Sequence, residues 1–156
     1  MGGKVTMTRP YGTQGYPVHG CNPDDCEESR LKTVVTGHSI PGRLVARDTD
    51  DNHVTIAGND AADVQGWIVP SGTHDTGTDY ASEECLKIGY TDGTIVPLTL
   101  ITGQTVTKGQ VLSPAANGML KSSASDPNPK LAVCRAWESV TTGTLASAPI
   151  LVKWGV

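Results

Sequence analysis

Phenylalanine is absent, and tryptophan and tyrosine together leave aromatics at 4% of 156 residues. Large stacked-ring cores and long apolar helices are therefore not expected. Apolar residues of every kind reach only 37%. The longest apolar runs, 94–101 and 148–152, fall far short of the ~18 residues that cross a bilayer. Residues 1–20 lack the apolar stretch of a secretory signal, so neither membrane insertion nor a leader is expected. Basic charge is scarce too: 12 Lys and Arg against 16 Asp and Glu give a net charge of −4, which excludes the electrostatic footprint of a nucleic-acid binder.

The motifs of catalysis are missing as well. The chain contains no Gly-x-Ser-x-Gly elbow, no phosphate-cradling loop ending in Lys-Ser/Thr, and no His-Glu-x-x-His pair. His19, His38, His53 and His74 all fall in turn-like or loop-like sequence, the surroundings of solvated side chains. Asp48, Asp50 and Asp51 lie close together but lack the sixth-position Gly and twelfth-position Glu of a calcium loop, and a solvated hairpin tip accounts for them. No enzyme is expected.

What is abundant is turn and strand material: 18 Gly, 10 Pro and 19 Thr. Residues 1–37 follow neither helical nor strand periodicity and read as an extended N-terminal arm, whose tyrosines Tyr11 and Tyr16, beside Pro17, have no core of their own to enter. Residues 38–156 read as one all-β domain, a small β-barrel or β-sandwich of short antiparallel strands. One hairpin spans 43–56 around an Asp/Asn-rich turn. A second spans 110–121 around Asn117-Gly118, a pair suited to positive φ angles. A third is expected across Thr91-Asp92-Gly93, and the chain closes on a strand at 149–154. Pro97 and Pro149 fit edge strands or strand beginnings.

Cysteine usage divides in two. Cys85 and Cys134 sit in apolar sequence and read as small core residues. His19, Cys21 and Cys26 bring three soft donors into eight residues. Cys-x4-Cys with an intervening Pro23 suits a structural zinc, with His38 or a neighbouring chain supplying a fourth ligand. The same spacing suits a Cys21–Cys26 disulfide outside the reducing cytoplasm, or two plain thiols; composition does not choose among them.

Two units of the chain align on one another. Gly42, a hairpin and Trp67 match Gly109, a hairpin and Trp137, and the pattern suggests a glycine for tight strand lead-in and one large aromatic per unit as core filler. The segments Ile40-Pro41-Gly42-Arg43-Leu44-Val45 and Val106-Thr107-Lys108-Gly109-Gln110-Val111-Leu112, the turn Ala116-Asn117-Gly118 and the return strand Leu131-Ala132-Val133-Cys134 resemble the head-decoration, or structural cement, proteins of tailed viruses. The resemblance covers about residues 36–156. It implies a non-catalytic homotrimer on the capsid surface, bound to the major capsid protein, made in the host cytoplasm and carried on the virion. Under that resemblance Tyr11, Tyr16 and Pro17 are the expected shell contacts. A competing reading is a soluble carbohydrate- or small-molecule-binding module. It would use Trp154 as a stacking platform, since Trp67 and Trp137 are assigned to the core.

Overall fold

The computed structural model describes residues 14–18, 26–71, 78–123 and 131–156. Within them run twelve short strands and no α-helix: β1 Glu27–Leu31, β2 Leu44–Arg47, β3 His53–Ile56, β4 Val64–Val69, β5 Cys85–Gly89, β6 Ile95–Leu100, β7 Thr105–Val106, β8 Val111–Pro114, β9 Leu120–Ser122, β10 Cys134–Ala136, β11 Val140–Thr141 and β12 Ala148–Trp154. The all-β expectation is met by two small closed barrels. The first has the order β1-β3-β2-β4-β5, the second β10-β12-β6-β9-β8, and β7 and β11 form a separate two-stranded ribbon.

Both barrels are wired alike. A hairpin, β2–β3 or β8–β9, receives a third strand beside its first member, β4 or β10. A fourth strand follows, β5 or β12, and the earliest strand of each set, β1 or β6, closes the barrel by pairing parallel to β3 or β9. The lead-in turns repeat too. Gly42, at φ 88°, donates its N–H to the Ile68 carbonyl, and the Ile68 N–H returns to the Arg43 carbonyl, at 2.8 and 2.9 Å. Gly109, at φ 90°, makes the same clasp with Ala136, whose N–H returns to Gln110, both at 2.8 Å. Gly93, at φ 89°, makes it a third time with Trp154 and Thr94, at 2.9 and 2.8 Å. A positive φ is needed at each of these positions to turn the amide toward the neighbouring strand, which is why each is glycine.

The clasps correct the internal alignment. Ile68 is equivalent to Ala136, so Trp67 matches Arg135 and Val69 matches Trp137. The ladders agree, because Leu44 faces Trp67 and the equivalent Val111 faces Arg135.

Burial follows the wiring. Val45, Val54, Ile56, Ile68, Leu86 and Ile88 fill the first barrel, with Leu31 and Tyr80. Leu44, Ala57, Trp67 and Val69 point the other way and join the interior of the second barrel in one continuous cluster. β4 is thus covered on both faces, and its last four residues are all buried. In β12, by contrast, Ile150, Val152 and Trp154 are buried while Leu151 and Lys153 face outward, as strand alternation requires.

Two further expectations change. Thr91-Asp92-Gly93 makes no hairpin: β5 belongs to the first barrel, β6 to the second, and the turn carries the chain between them. The arm boundary at 37 does not hold for the described residues, since β1 pairs with both β3 and β5 and residues 15 and 18 hydrogen-bond to β6. Only Leu31 of Glu-Glu-Ser-Arg-Leu is fully buried, so β1 carries little apolar signal. Pro149 stands near the start of β12 as expected. Pro97 lies inside β6, and its carbonyl accepts from Gly15; its ring nitrogen therefore faces the same way, and the ladder to β12 loses no donor.

Candidate functional site

Residues 14–18 form a strap along β6. The Gly15 N–H donates to the Pro97 carbonyl at 2.8 Å and the Val18 N–H to the Ile95 carbonyl at 2.9 Å. The Thr99 hydroxyl donates to Gln14 Oε1 at 3.0 Å, and the Trp67 indole N–H donates to the Gly15 carbonyl at 2.8 Å. Of the three residues expected to touch a shell, Tyr16 is 46% exposed, next to Val18 at 50%. Pro17 is turned inward and buried, as alternation along an extended segment dictates. Tyr11 lies outside the described residues. The strap thus holds Tyr16 outward on a backbone pinned at both ends, which removes much of the entropy an anchor loses on binding.

The tryptophans divide differently from the sequence expectation. Trp67 is fully buried, and its ring meets Trp154 edge-on at 5.1 Å between centroids. Trp154 is only 7% exposed, so it is no platform, whereas Trp137 is 41% exposed and is not core filler. Lys108 and Lys153 hold their ammonium groups 5.0 and 5.7 Å from the Trp137 ring centroid, within cation–π range. Arg135 stands opposite Lys153 across the β10–β12 ladder. An exposed indole ringed by cations is the result, and only the clasp register reveals it, because a Trp two residues along a strand keeps the same facing parity.

Acidic groups gather at the far barrel. An open hollow of about 710 Å³ is lined by Glu27, Asp48, Asp50, Asp51 and Asp63, with Arg47 and His53 among its cationic lining. Lys32 pairs with Asp50. His53 donates from Nδ1 to the Asp51 carbonyl and from Nε2 to Glu83 Oε2, both at 2.7 Å. With Glu83 ionised, both partners are acceptors, and the doubly protonated ring is the form that satisfies both bonds. The Glu83 hydrogen bond is the main cause that lifts the His53 pKa, and it holds the Glu83 carboxyl down in turn. The clasp therefore stabilises the fold fully only between the ordinary carboxyl value of 4.5 and the ordinary imidazole value of 6.5. It fades as pH rises through the raised His53 value or falls through the lowered Glu83 value. We expect the His53 ring protons to titrate above pH 6.5 by NMR, and Glu83→Ala to bring the midpoint down; an unmoved midpoint would show that the pair does not form.

His38 behaves in the opposite way. Its Nδ1 is buried without a hydrogen bond among the described residues, and burial, then the nearby Arg43, push its pKa down. His19 and Cys21 lie outside the described residues, as does any pairing with Cys26, which is half-buried against the second-barrel core. No cluster of three metal-ligating side chains occurs among the described residues. Cys134 is fully buried as expected, with its thiol pKa pushed up by desolvation, whereas Cys85 is exposed: it starts β5 at the outward-facing end of an alternating strand.

No family model matches the sequence, and no curated protein matches it. Among solved structures, the N base of head fiber gp8.5 in bacteriophage phi29 matches with a TM-score of 0.51 at 15% sequence identity, covering 83% of this chain and 92% of that one. The fold is similar to that of this head-fiber base. The likeness covers most of both chains. At this identity it speaks to the fold, and side-chain roles must come from the residues described above.

Proposed function

We propose that the chain is a virion structural protein that binds the outer surface of an assembled capsid, through its major capsid protein, and stabilises the shell without catalysis, acting as a homotrimer. The observation that carries this reading is the likeness of the overall fold to a phage head-fiber base. The rigid strap with its outward Tyr16 supports it, because Tyr is enriched among interface anchors and has little conformational freedom to lose. The mechanism is mass action. A protein that binds the closed shell and not its free subunits stabilises the shell by about 2.7 kcal/mol per site at a hundredfold excess over Kd. Three linked copies multiply weak contacts through effective concentration.

The test is co-sedimentation with purified empty shells followed by imaging of the bound density. The wild-type chain is expected to pellet with shells and raise their disassembly temperature. Tyr16→Ala is expected to weaken binding about tenfold, the effect of one interface anchor, with an unchanged melting temperature of the isolated protein. Wild-type protein left in the supernatant at saturating shell concentrations would refute the proposal.

A further inference from the structure

In the first barrel, the outward face of β2 and β4 is covered. The turn Ala116–Gly118 between β8 and β9 sits on it: the Gly118 N–H donates to the Ala57 carbonyl at 2.7 Å, and an Arg43 guanidinium N–H donates to the Asn117 carbonyl at 3.4 Å. Gly118 is packed so closely on Arg43 and Leu44 that a Cβ there would lie 2.9 Å from Arg43 Cβ and from the Leu44 carbonyl oxygen. The second barrel has the same wiring, so it has an equivalent face on β8 and β10. That face carries Val111 in place of Leu44, Arg135 in place of Trp67 and Trp137 in place of Val69. Arg135 and Trp137 are exposed there, with only the Lys108 and Lys153 ammonium groups held over the indole among the described residues.

The equivalent of the covering turn is the β2–β3 turn of the first barrel, residues 48–52. It is acidic, with Asp48, Asp50 and Asp51, whereas the open face is basic, with Lys108, Arg135 and Lys153 around Trp137. The whole chain shows the same polarity: residues 26–90 hold five Lys or Arg against eleven Asp or Glu, and residues 91–156 hold five against three. We propose that the Trp137 face of one copy receives the 48–52 turn of a second copy, repeating between chains the packing that already joins the two barrels within one. The inference rests on the self-association in the reading above and names its surfaces. Face and turn are unlike, so the contact is heterologous, the kind that closes into a ring when the rotation allows. Exposed aromatic and charged groups on opposing surfaces supply both the anchor and the steering.

The test is sedimentation equilibrium of the full chain. Wild type is expected to associate, less so as salt screens the charges. Lys108→Glu with Lys153→Glu is expected to raise the dissociation constant at least about tenfold, since like charges then oppose each other. Adding Asp50→Lys and Asp51→Lys to that variant reverses both surfaces and is expected to restore association. Circular dichroism and melting confirm that each variant folds, all four positions being exposed. A monomeric wild type would overturn the proposal, as would lysine variants that associate normally, or a folded four-substitution chain that stays apart. If the wild type is monomeric yet held on a polyanionic resin, the face serves a different partner and the proposal fails. Shell binding of the same proteins is read separately: wild type that associates through this face but ignores shells sinks the capsid reading alone.

Discussion

Trp67→Ala is expected to destabilise the protein by about 3–5 kcal/mol, the range for removing a buried Trp or Phe from a core, and to melt both barrels in a single transition. Trp67 points out of the first barrel into the cluster that includes the interior of the second, touches Trp154 edge-on and donates its indole N–H to the strap. Removing it empties the junction and leaves the Gly15 carbonyl without that donor. Calorimetry and urea denaturation, followed by far-ultraviolet circular dichroism, provide the measurement. Trp67→Phe separates the two effects: it keeps most of the apolar volume and should cost about 1–3 kcal/mol, chiefly for the unsatisfied carbonyl. If the alanine variant showed two well-separated transitions, the barrels would be independent units and the single-cluster description would be wrong.

The second large effect belongs to the strap. Gly15 adopts φ 78°, and a Cβ at that position would lie 2.3 Å from the Ile68 carbonyl oxygen and 2.6 Å from the Gly42 nitrogen. Both contacts are backbone, which cannot swing aside. Gly15→Ala should therefore release residues 14–18 from β6. Strain of this kind costs on the order of 1–3 kcal/mol, and the lost indole hydrogen bond adds to it. The Gly15 and Val18 amides are the reporters: the wild-type amides should exchange slowly with solvent, and in the variant the amides of residues 15 and 18 should exchange at rates near those of an unfolded peptide. Shell binding should fall with them, because Tyr16 then loses its fixed backbone. Unchanged protection at Val18 would count against the strap as a structural element.

Much of this was legible in the residues, and the gaps have physical causes. The hairpin at 44–56 could be read because Val54 and Ile56 alternate with polar neighbours after an Asp/Asn turn. The second hairpin could be read because Asn117 and Gly118 take the positive φ angles, 59° and 73°, that their side chains permit. The third failed because two apolar segments flanking a glycine turn look the same whether the strands pair or part into separate barrels. β1 was invisible since a strand with one buried residue in five resembles a polar loop. The doubled unit was visible through Gly42 and Gly109, but its tryptophans were misaligned. Sequence shows the parity of a side chain along a strand and not what lies beyond the sheet: the same outward face meets a neighbouring barrel at Trp67 and open solvent at Trp137. The exposed site therefore had to come from the hydrogen-bond register.

Closure of both barrels has a bearing on crowding. A sheet with an open margin offers a row of unused amides and carbonyls onto which another chain can add a strand. Here each barrel ladder returns to its starting strand, and where β6 meets β9 at only one residue pair, the strap occupies the stretch beside it. The barrels of neighbouring copies can thus touch without zipping together. Contacts between barrel surfaces then fall to side chains, where charge and shape can reject the wrong neighbour.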